Sequence, residues 1–235
     1  MLKILISGIL LSSFFLFGIQ TENHAPVVKI IQPQVNAAYT WNSPAPFSIE
    51  VSDAEDGESK YQEIQTAEVL VKLKYIENSA KASAYLKQKK FSDTIGVMNM
   101  LVSNCFNCHG VRTKMAGPSF QDISKKYQNT IPNRDQLVNH IQKGSTGIWG
   151  KESMPTHPEL TDSIARKMVK WIFTYANDPG LNYFVGLQGA LPLNKPAATT
   201  RQGFFVVTAF YTDHGTPDLP NKRMTGSDQM ILKMK

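Results

Sequence analysis

The chain has 235 residues, which is enough for one large domain or two small ones. Hydrophobic residues make up 42% and charged residues 19%, so the composition excludes a wholly disordered chain and a polytopic membrane protein. The presence of only two cysteines excludes a disulfide scaffold, and a formal net charge of +6 gives no reason to expect a nucleic-acid partner.

The N-terminus has the pattern of a secretory signal peptide. Lys3 is followed by an uncharged, mainly apolar segment that ends near Thr21. Because the apolar core is a little short for a bilayer span, we predict a cleaved signal at residues 1–20, with a retained N-terminal anchor as the alternative. The protein is therefore expected in the periplasm or outside the cell, without a transmembrane segment once the signal is removed.

Charge divides the rest of the chain into three parts. Residues 21–80 carry a net charge of −5, residues 81–177 carry +8, and residues 178–235 carry +2. Such a change of sign between neighbouring segments indicates that they form different structural units.

The first and last parts are predicted to be β structure. In residues 23–77, polar and apolar residues alternate over segments 46–51 and 68–76, as in strands with one buried face. In residues 190–235, segment 203–211 is rich in β-branched and aromatic residues and is predicted to be a strand. Neither part has enough strands for a stable sheet of its own, so we predict that the two parts combine in one β-sandwich.

The middle part, residues 83–177, has the periodicity of helices with one apolar face. Three helices are predicted from capping residues and from the apolar positions that follow them. Their predicted N-termini are Ser92 or Asp93, Asn133 or Arg134, and Thr161.

The residues that carry chemistry lie in this helical part, in the motif Cys105-Phe106-Asn107-Cys108-His109. Two thiols three positions apart can add to the two vinyl groups of one porphyrin, which leaves the adjacent His beneath the iron. The alternatives are a thioredoxin-type redox pair, which should follow a strand in a βαβ unit, and a zinc site, which needs further ligands. Neither context is visible, so we predict a covalent haem c on Cys105 and Cys108, with His109 as an axial ligand of the iron.

Met154 is the candidate for the second axial ligand. It lies 45 residues beyond His109 in a loop that contains Gly147, Gly150 and Pro155. The two glycines allow a tight turn and Pro155 stiffens the chain next to the thioether sulfur. The alternative is a methionine that only fills a gap in the core.

Residues from about 83 to 177 resemble a small bacterial class I cytochrome c. The resemblance rests on a set of short motifs: Cys105 with Cys108 and His109, Ala116–Phe120 with Asp122 and Tyr127, GIWGKESMP at 147–155, and Trp171-Ile172-Phe173. It implies that Pro118 packs on the His109 side of the haem, where a neighbouring carbonyl accepts the imidazole N–H. It also implies that the indole N–H of Trp149 reaches a haem propionate.

The flanking β segments resemble, more weakly, PKD-like or other immunoglobulin-like modules. The matching stretches are VVKIIQP at 27–33, PFSIEVSDAEDG at 46–57 and GFFVVTAFYTDHG at 203–215. Loop tips between strands tolerate inserted domains whose ends lie close together. The predicted fold class is therefore α+β and multidomain: an all-α class I cytochrome c domain inserted in an interrupted immunoglobulin-like β-sandwich.

An acidic turn in the first β part offers a second, weaker site. Asp53, Glu55 and Asp56 could supply oxygen ligands to Ca²⁺, although such a run is more often a solvated turn between strands. The remaining histidines have no paired spacing and are predicted to be surface or structural residues: His24, His140, His157 and His214.

The functional prediction is an electron carrier rather than an enzyme. An iron with His and Met ligands is closed to substrate, and the basic middle part favours an acidic redox partner such as a dehydrogenase or a terminal oxidase. One alternative is an open-site haem sensor or peroxidase-like enzyme, which requires that Met154 does not bind the iron. The other is a carbohydrate-binding or adhesion module with an accessory haem, which requires exposed aromatic side chains among Tyr39, Trp41, Phe204 and Tyr211.

Overall fold

A computed structural model describes residues 22–34, 37–87, 94–195 and 203–235 of the chain. The predicted signal peptide at 1–20 and the predicted caps Ser92 and Asp93 lie outside the described residues. Within the described residues, no helix combines the length and apolar character needed to cross a membrane.

Strands occur at both ends of the described chain and helices lie mainly between them. The strands are Val27–Gln32 (β1), Ala38–Tyr39 (β2), Pro44–Asp53 (β3), Gly57–Glu58 (β4), Leu70–Ile76 (β5), Leu181–Val185 (β6), Gln188–Pro192 (β7), Phe204–Thr212 (β8) and Thr225–Met234 (β9). The α-helices are Ser79–Leu86 (α1), Ile95–Val102 (α2), Phe120–Lys126 (α3), Ile131–Lys143 (α4) and Asp162–Tyr175 (α5).

Two sheets bring the ends of the chain together. One has the order β2-β9-β8-β5-β6, and in the other β3 pairs with β1, β4 and β7. The antiparallel pairing of β5 with β8, from Leu70↔Phe210 to Ile76↔Phe204, joins the segment before the helices to the segment after them, as predicted. The second β segment begins at Leu181 and not at residue 190, because β6 and the first residues of β7 extend the two sheets on the N-terminal side of the predicted range.

The sheets enclose one apolar core and share a second with the helices. In β5, the alternate residues Val71, Leu73 and Tyr75 face the core between the sheets, together with Phe47 and Ile49 of β3. The opposite face of the larger sheet packs on the helices, through a group of side chains that includes Leu70, Tyr183 and Phe210. The strand β5 is therefore covered on both faces, with six of its seven residues buried.

Two of the aromatic side chains that a carbohydrate site would need contact the core between the sheets. Tyr211 is fully buried. Trp41 is half-buried and packs against Tyr75 and Phe205, with ring centroids 6.2 Å and 5.7 Å away. Tyr211 is therefore not exposed to a sugar ring, and part of Trp41 is covered by the core.

One predicted helix N-terminus is confirmed by the structure, and another differs from the observed one. Thr161 caps α5, and its hydroxyl accepts the backbone N–H of Ile164, as predicted. Helix α4 begins at Ile131, because Thr130 is its cap, and it does not begin at Asn133 or Arg134. Pro132 explains the earlier start, since proline in the first turn needs no N–H partner and has a backbone angle suited to a helix.

The acidic turn between β3 and β4 is held by hydrogen bonds rather than arranged around an ion. Asp53 Oδ1 accepts the backbone N–H groups of Glu55 and Asp56 at 3.0 and 2.9 Å. Glu55 pairs with His24 at 2.7 Å, and Asp56 accepts the hydroxyl of Tyr211 at 2.6 Å. The described residues hold no group of three or more His, Cys, Asp or Glu side chains that could bind a metal ion, and the hydrogen bonds of the turn favour the prediction of an ordinary turn between strands.

His214 links this turn to the C-terminal segment and makes stability depend on pH. Its ring lies 2.7 Å from Glu68 Oε1 and 3.1 Å from Asp56 Oδ1. Burial alone would lower the pKa of His214, but the hydrogen bond to Glu68 and the charge of Asp56 outweigh it and raise that pKa. A raised pKa in the folded state means that the protonated ring stabilises the fold, and that this contribution is lost as the pH rises through the folded-state value, above about 6.5.

We therefore expect His214→Gln to lower the free energy of unfolding at a pH of about 5.5 and to change it little at about 8.5. Denaturant unfolding of the wild type and the variant at both pH values measures the difference. A loss that increased with pH would contradict the assignment.

Candidate haem site

A cleft of about 290 Å³ opens in the helical part and brings the predicted site residues together. It is lined by the side chains named from the sequence: Cys105, Cys108, His109, Pro118, Trp149 and Met154. Most of the remaining wall is apolar and includes Met100, Phe120, Leu137, Met168, Val169 and Ile172. The contributing segments are the end of α2, the loop between α2 and α3, helices α3, α4 and α5, and the loop that joins α4 to α5.

The two cysteines lie on a single turn that follows α2. Asn104 adopts a left-handed conformation with φ of 59°, which ends the helix and starts a 3-10 turn from Cys105 to Asn107. The two thiols are not bonded to each other. Burial raises the pKa of Cys105 to about 11, which disfavours the low-pKa thiolate of a redox-active pair. Among the described residues, no group of three or more His, Cys, Asp or Glu side chains surrounds the two cysteines as a zinc site would require.

His109 is held in one orientation with one ring nitrogen left available. The side chain is 8% exposed, and its Nδ1 lies 2.7 Å from the backbone oxygen of Pro118. A carbonyl oxygen can only accept, so Nδ1 must carry the proton and Nε2 must keep its lone pair. Burial lowers the pKa of His109, which favours this neutral form. The ring also stacks on Phe120, with centroids 5.5 Å apart.

Gly117 makes room for this imidazole. A Cβ atom at Gly117 would lie 2.5 Å from Cε1 and 2.8 Å from Nδ1 of His109, so any larger residue would displace the ring. The backbone N–H of Gly117 donates to the oxygen of Cys108 at 2.8 Å, which closes the loop over the two-cysteine turn. The loop from His109 to Pro118 thus fixes the tautomer and the position of the imidazole.

Met154 lies in the loop between α4 and α5, on the wall of the same cleft. Its backbone N–H donates to Ser145 at 2.8 Å, and its oxygen accepts from Ser145 at 3.2 Å, so a short antiparallel bridge holds it. Between these residues the chain turns through Gly147 and Gly150, whose φ angles are 82° and 134°. The bridge and the turn together fix the backbone of Met154 beside the cleft.

Trp149 occupies the outer part of this loop. It is 36% exposed, and the ammonium group of Lys126 lies 5.0 Å from its ring centroid. His140 of α4 also lines the cleft, and burial lowers its pKa. His140 has no paired ligand spacing and is predicted from the sequence to be a surface or structural residue, whereas the structure places it on the wall of the cleft.

The residues present fit a covalently attached porphyrin. Two unpaired thiols lie on one turn, a neutral imidazole presents a free nitrogen, and the walls are mainly apolar. A soft thioether lies on the wall of the same cleft.

Comparisons with known proteins agree with this chemistry for about one third of the chain. Residues 98–172 match the family model described as "Cytochrome C oxidase, cbb3-type, subunit III". Cytochrome c-552 of Nitrosomonas europaea is 38% identical over 72 residues, which cover 31% of this chain and 70% of that protein. Cytochrome c-551 of Ectopseudomonas mendocina is 37% identical over 70 residues, which cover 30% of this chain and 84% of that protein.

A solved structure is similar over the same part. The crystal structure of wild-type Nitrosomonas europaea cytochrome c552 has 35% sequence identity and a TM-score of 0.32, and covers 33% of this chain and 96% of that chain.

The helices and the cleft define a c-type cytochrome with covalently bound haem c. Through this part, the chain belongs to the family of small bacterial class I cytochromes c that includes cytochromes c-551 and c-552.

Proposed function

We propose that the protein is an exported cytochrome that carries single electrons between redox partner proteins through one haem with His109 and Met154 as axial ligands. The observation that supports this most directly is the shared cleft. Cys105, Cys108, His109 and Met154 come from two separate loops and line one mainly apolar space.

Each residue has a distinct part in this proposal. Bound haem would supply a one-electron couple between ferrous and ferric iron. The thiols of Cys105 and Cys108 would hold it by thioether bonds, and His109 would bind the iron through Nε2, because Nδ1 is committed to Pro118. Met154 would donate its sulfur, which favours ferrous iron and raises the potential.

The wall of the cleft favours a carrier over an enzyme. Among the described residues that line it, the titratable side chains are Cys105, Cys108, His109, His140 and Glu152. An open-site sensor or peroxidase-like enzyme would need a free iron position with an acid or base beside it. His140 and Glu152 are the residues that could act in that way, so this alternative depends on Met154 not binding the iron.

The partner is proposed to be an acidic protein, such as a dehydrogenase or a terminal oxidase, on the side of the cleft. The segment 81–177 carries a net charge of +8, and Lys126 lies beside Trp149 at the mouth of the cleft. Complementary charge speeds encounter between partners and is weakened by salt. We place the protein in the periplasm or outside the cell because residues 1–20 have the pattern of a signal peptide.

We also propose that the two sheets are an immunoglobulin-like sandwich interrupted by the cytochrome. The pairing of β5 with β8 across the inserted helices supports this proposal. The shared core of the two sheets, formed by residues from before and after the insertion, supports it further.

The covalent attachment can be tested directly. After production with a haem-maturation system, haem should stay with the wild-type chain on a denaturing gel, because thioether bonds survive unfolding. The Cys105→Ala and Cys108→Ala double variant should lose all of that signal, whereas His140→Ala, a control on the same cleft, should keep it. Haem that leaves the wild-type chain on denaturation would disprove covalent attachment.

A further inference from the structure

A partly buried arginine joins the haem-binding loop to the β part of the molecule. Arg112 lies three positions after His109. Its Nη2 atom donates to the backbone oxygen of Asp178 and, at 3.1 Å, to that of Leu181. Asp178 lies in the connection between α5 and β6, and Leu181 is the first residue of β6, so one guanidinium group bridges the haem loop and the start of the sheet.

The connection that accepts these hydrogen bonds is itself held by the sheet. Lys74 of β5 reaches Asp178 with a distance of 2.5 Å between Nζ and Oδ2. The other carboxylate oxygen of Asp178 accepts the N–H of Gly180 at 2.8 Å, and the oxygen of Gly180 accepts the N–H of Tyr75 at 2.6 Å. Arg112 is therefore bound to a segment that two residues of β5 fix in place.

At its other end, Arg112 belongs to a loop with little freedom. The backbone oxygen of Gly110 accepts the N–H of Phe120 at 3.0 Å, and that of Val111 accepts the N–H of Gln121 at 2.9 Å. The same loop ends at Pro118, whose oxygen orients His109. A displacement of Arg112 would consequently move the loop that sets the imidazole.

Arg112 lies within the part of the chain that matches known cytochromes, whereas the residues that accept its hydrogen bonds lie beyond the family match. The family match ends at residue 172, whereas the acceptors are Asp178 and Leu181. The small cytochromes matched here align over about 70 residues of this chain. The acceptors of this contact thus lie after the family match, at the start of the second β segment.

We propose that Arg112 is a positioning residue through which the β part orients His109 and sets the reduction potential of the haem. The inference rests on the proposed function, because it takes His109 as an iron ligand. Two effects act in the same loop. The hydrogen bonds of Arg112 hold the loop from His109 to Pro118 in place. The positive charge of Arg112 disfavours the additional positive charge of ferric iron. Loss of Arg112 should therefore lower the potential and change the orientation of the imidazole.

The test compares four variants of the full-length holoprotein: Arg112→Met, Arg112→Lys, Lys74→Met and Arg166→Met. Arg166 is the matched control, because it is exposed and its ion pairs among the described residues are with Asp135 and Asp162 of the helical part, both at 2.6 Å. The readouts are the midpoint potential and the electron paramagnetic resonance g values of the ferric haem, which respond to the orientation of the axial ligands.

We expect Arg112→Met to lower the equilibrium constant for reduction by roughly threefold or more and to shift the g values. Arg112→Lys should recover part of the equilibrium constant for reduction and part of the wild-type g values, because lysine keeps the positive charge but cannot donate to two carbonyl oxygens in the same way. Lys74→Met should also shift the g values, although Lys74 lies in β5. If Arg112→Met does not fold, Lys74→Met still tests the inference. Arg166→Met should behave like the wild type.

Two results would overturn the inference, and they differ in what they say about the proposed function. If the wild type holds a covalent, low-spin haem and the Arg112 and Lys74 variants match it and the control, the inference fails and the proposed function stands. If the wild type lacks a covalent or His-ligated haem, the proposed function fails and the inference fails with it.

Discussion

Met154→Ala should leave the haem covalently attached and open the iron to external ligands. Removal of the thioether sulfur takes away the ligand that favours ferrous iron, so the midpoint potential should fall by on the order of 100 mV. Carbon monoxide should bind to the reduced variant at least about tenfold faster than to the wild type, because no bond to sulfur must break first. Visible spectra of both oxidation states and stopped-flow mixing with carbon monoxide measure these changes.

Met115→Ala is the matched control for this substitution. Met115 is 48% exposed and lies only six residues after His109, on a loop that contributes to the other side of the site. Its loss should change neither the spin state nor the rate of carbon monoxide binding. A wild type that is already high-spin and binds carbon monoxide at once would refute Met154 ligation and favour the open-site sensor or enzyme.

The haem motif could be predicted from sequence because its chemistry is local. Cys105, Cys108 and His109 lie within five consecutive residues, and one turn of the chain is enough to present them together. The tautomer of His109 could not be derived from the motif alone, because the acceptor lies nine residues away. The resemblance to class I cytochromes c implies a carbonyl next to Pro118, whereas the acceptor in the structure is the oxygen of Pro118 itself.

The contacts between the β part and the helices could not be predicted from sequence. Alternation in β5 puts Lys72 on the face opposite to Val71 and Leu73, where a charged residue normally meets water. Instead Lys72 is fully buried, with its ammonium group 5.1 Å from the ring centroid of Tyr85 and 5.6 Å from that of Phe210. Alternation in the sequence predicts that one face of a strand is buried. The second face of β5 is also buried, because parts of the chain distant in sequence pack on it.

The strand β6 could not be predicted from the sequence for a related reason. It spans only Leu181–Val185 and directly follows the turn after α5, so its five residues carry little periodic signal. Its pairing with β5 depends on where α5 ends, and helix ends are poorly defined by sequence. The bridge made by Arg112 was hidden with it, because both of its acceptors lie at that turn.

The packing of α2 against α5 positions the two-cysteine turn at the wall of the cleft. Helix α2 leads directly into that turn, and Gly96 near its start lies against Trp171 of α5. Trp171 in turn packs on Phe120, with ring centroids 6.0 Å apart, and Phe120 stacks on His109. The close approach of the two helices thus holds Trp171 and Phe120 against His109. This approach is possible because Gly96 has no side chain.

Gly96→Val should therefore destabilise the holoprotein by about 3 kcal/mol or prevent haem incorporation. A Cβ at Gly96 would lie 2.3 Å from the Cβ of Trp171 and 2.6 Å from the backbone oxygen of Lys167, so the helices would have to separate. Gly96→Ala is the sharper test, because helix propensity alone favours alanine by about 1 kcal/mol, whereas the crossing predicts a loss of about 1–3 kcal/mol. Val102→Ala, at a position of α2 that is 49% exposed, should stay within about 0.5 kcal/mol of the wild type. Denaturant unfolding followed by haem absorbance measures all three, and a Gly96→Ala variant more stable than the wild type would show that the two helices do not approach this closely.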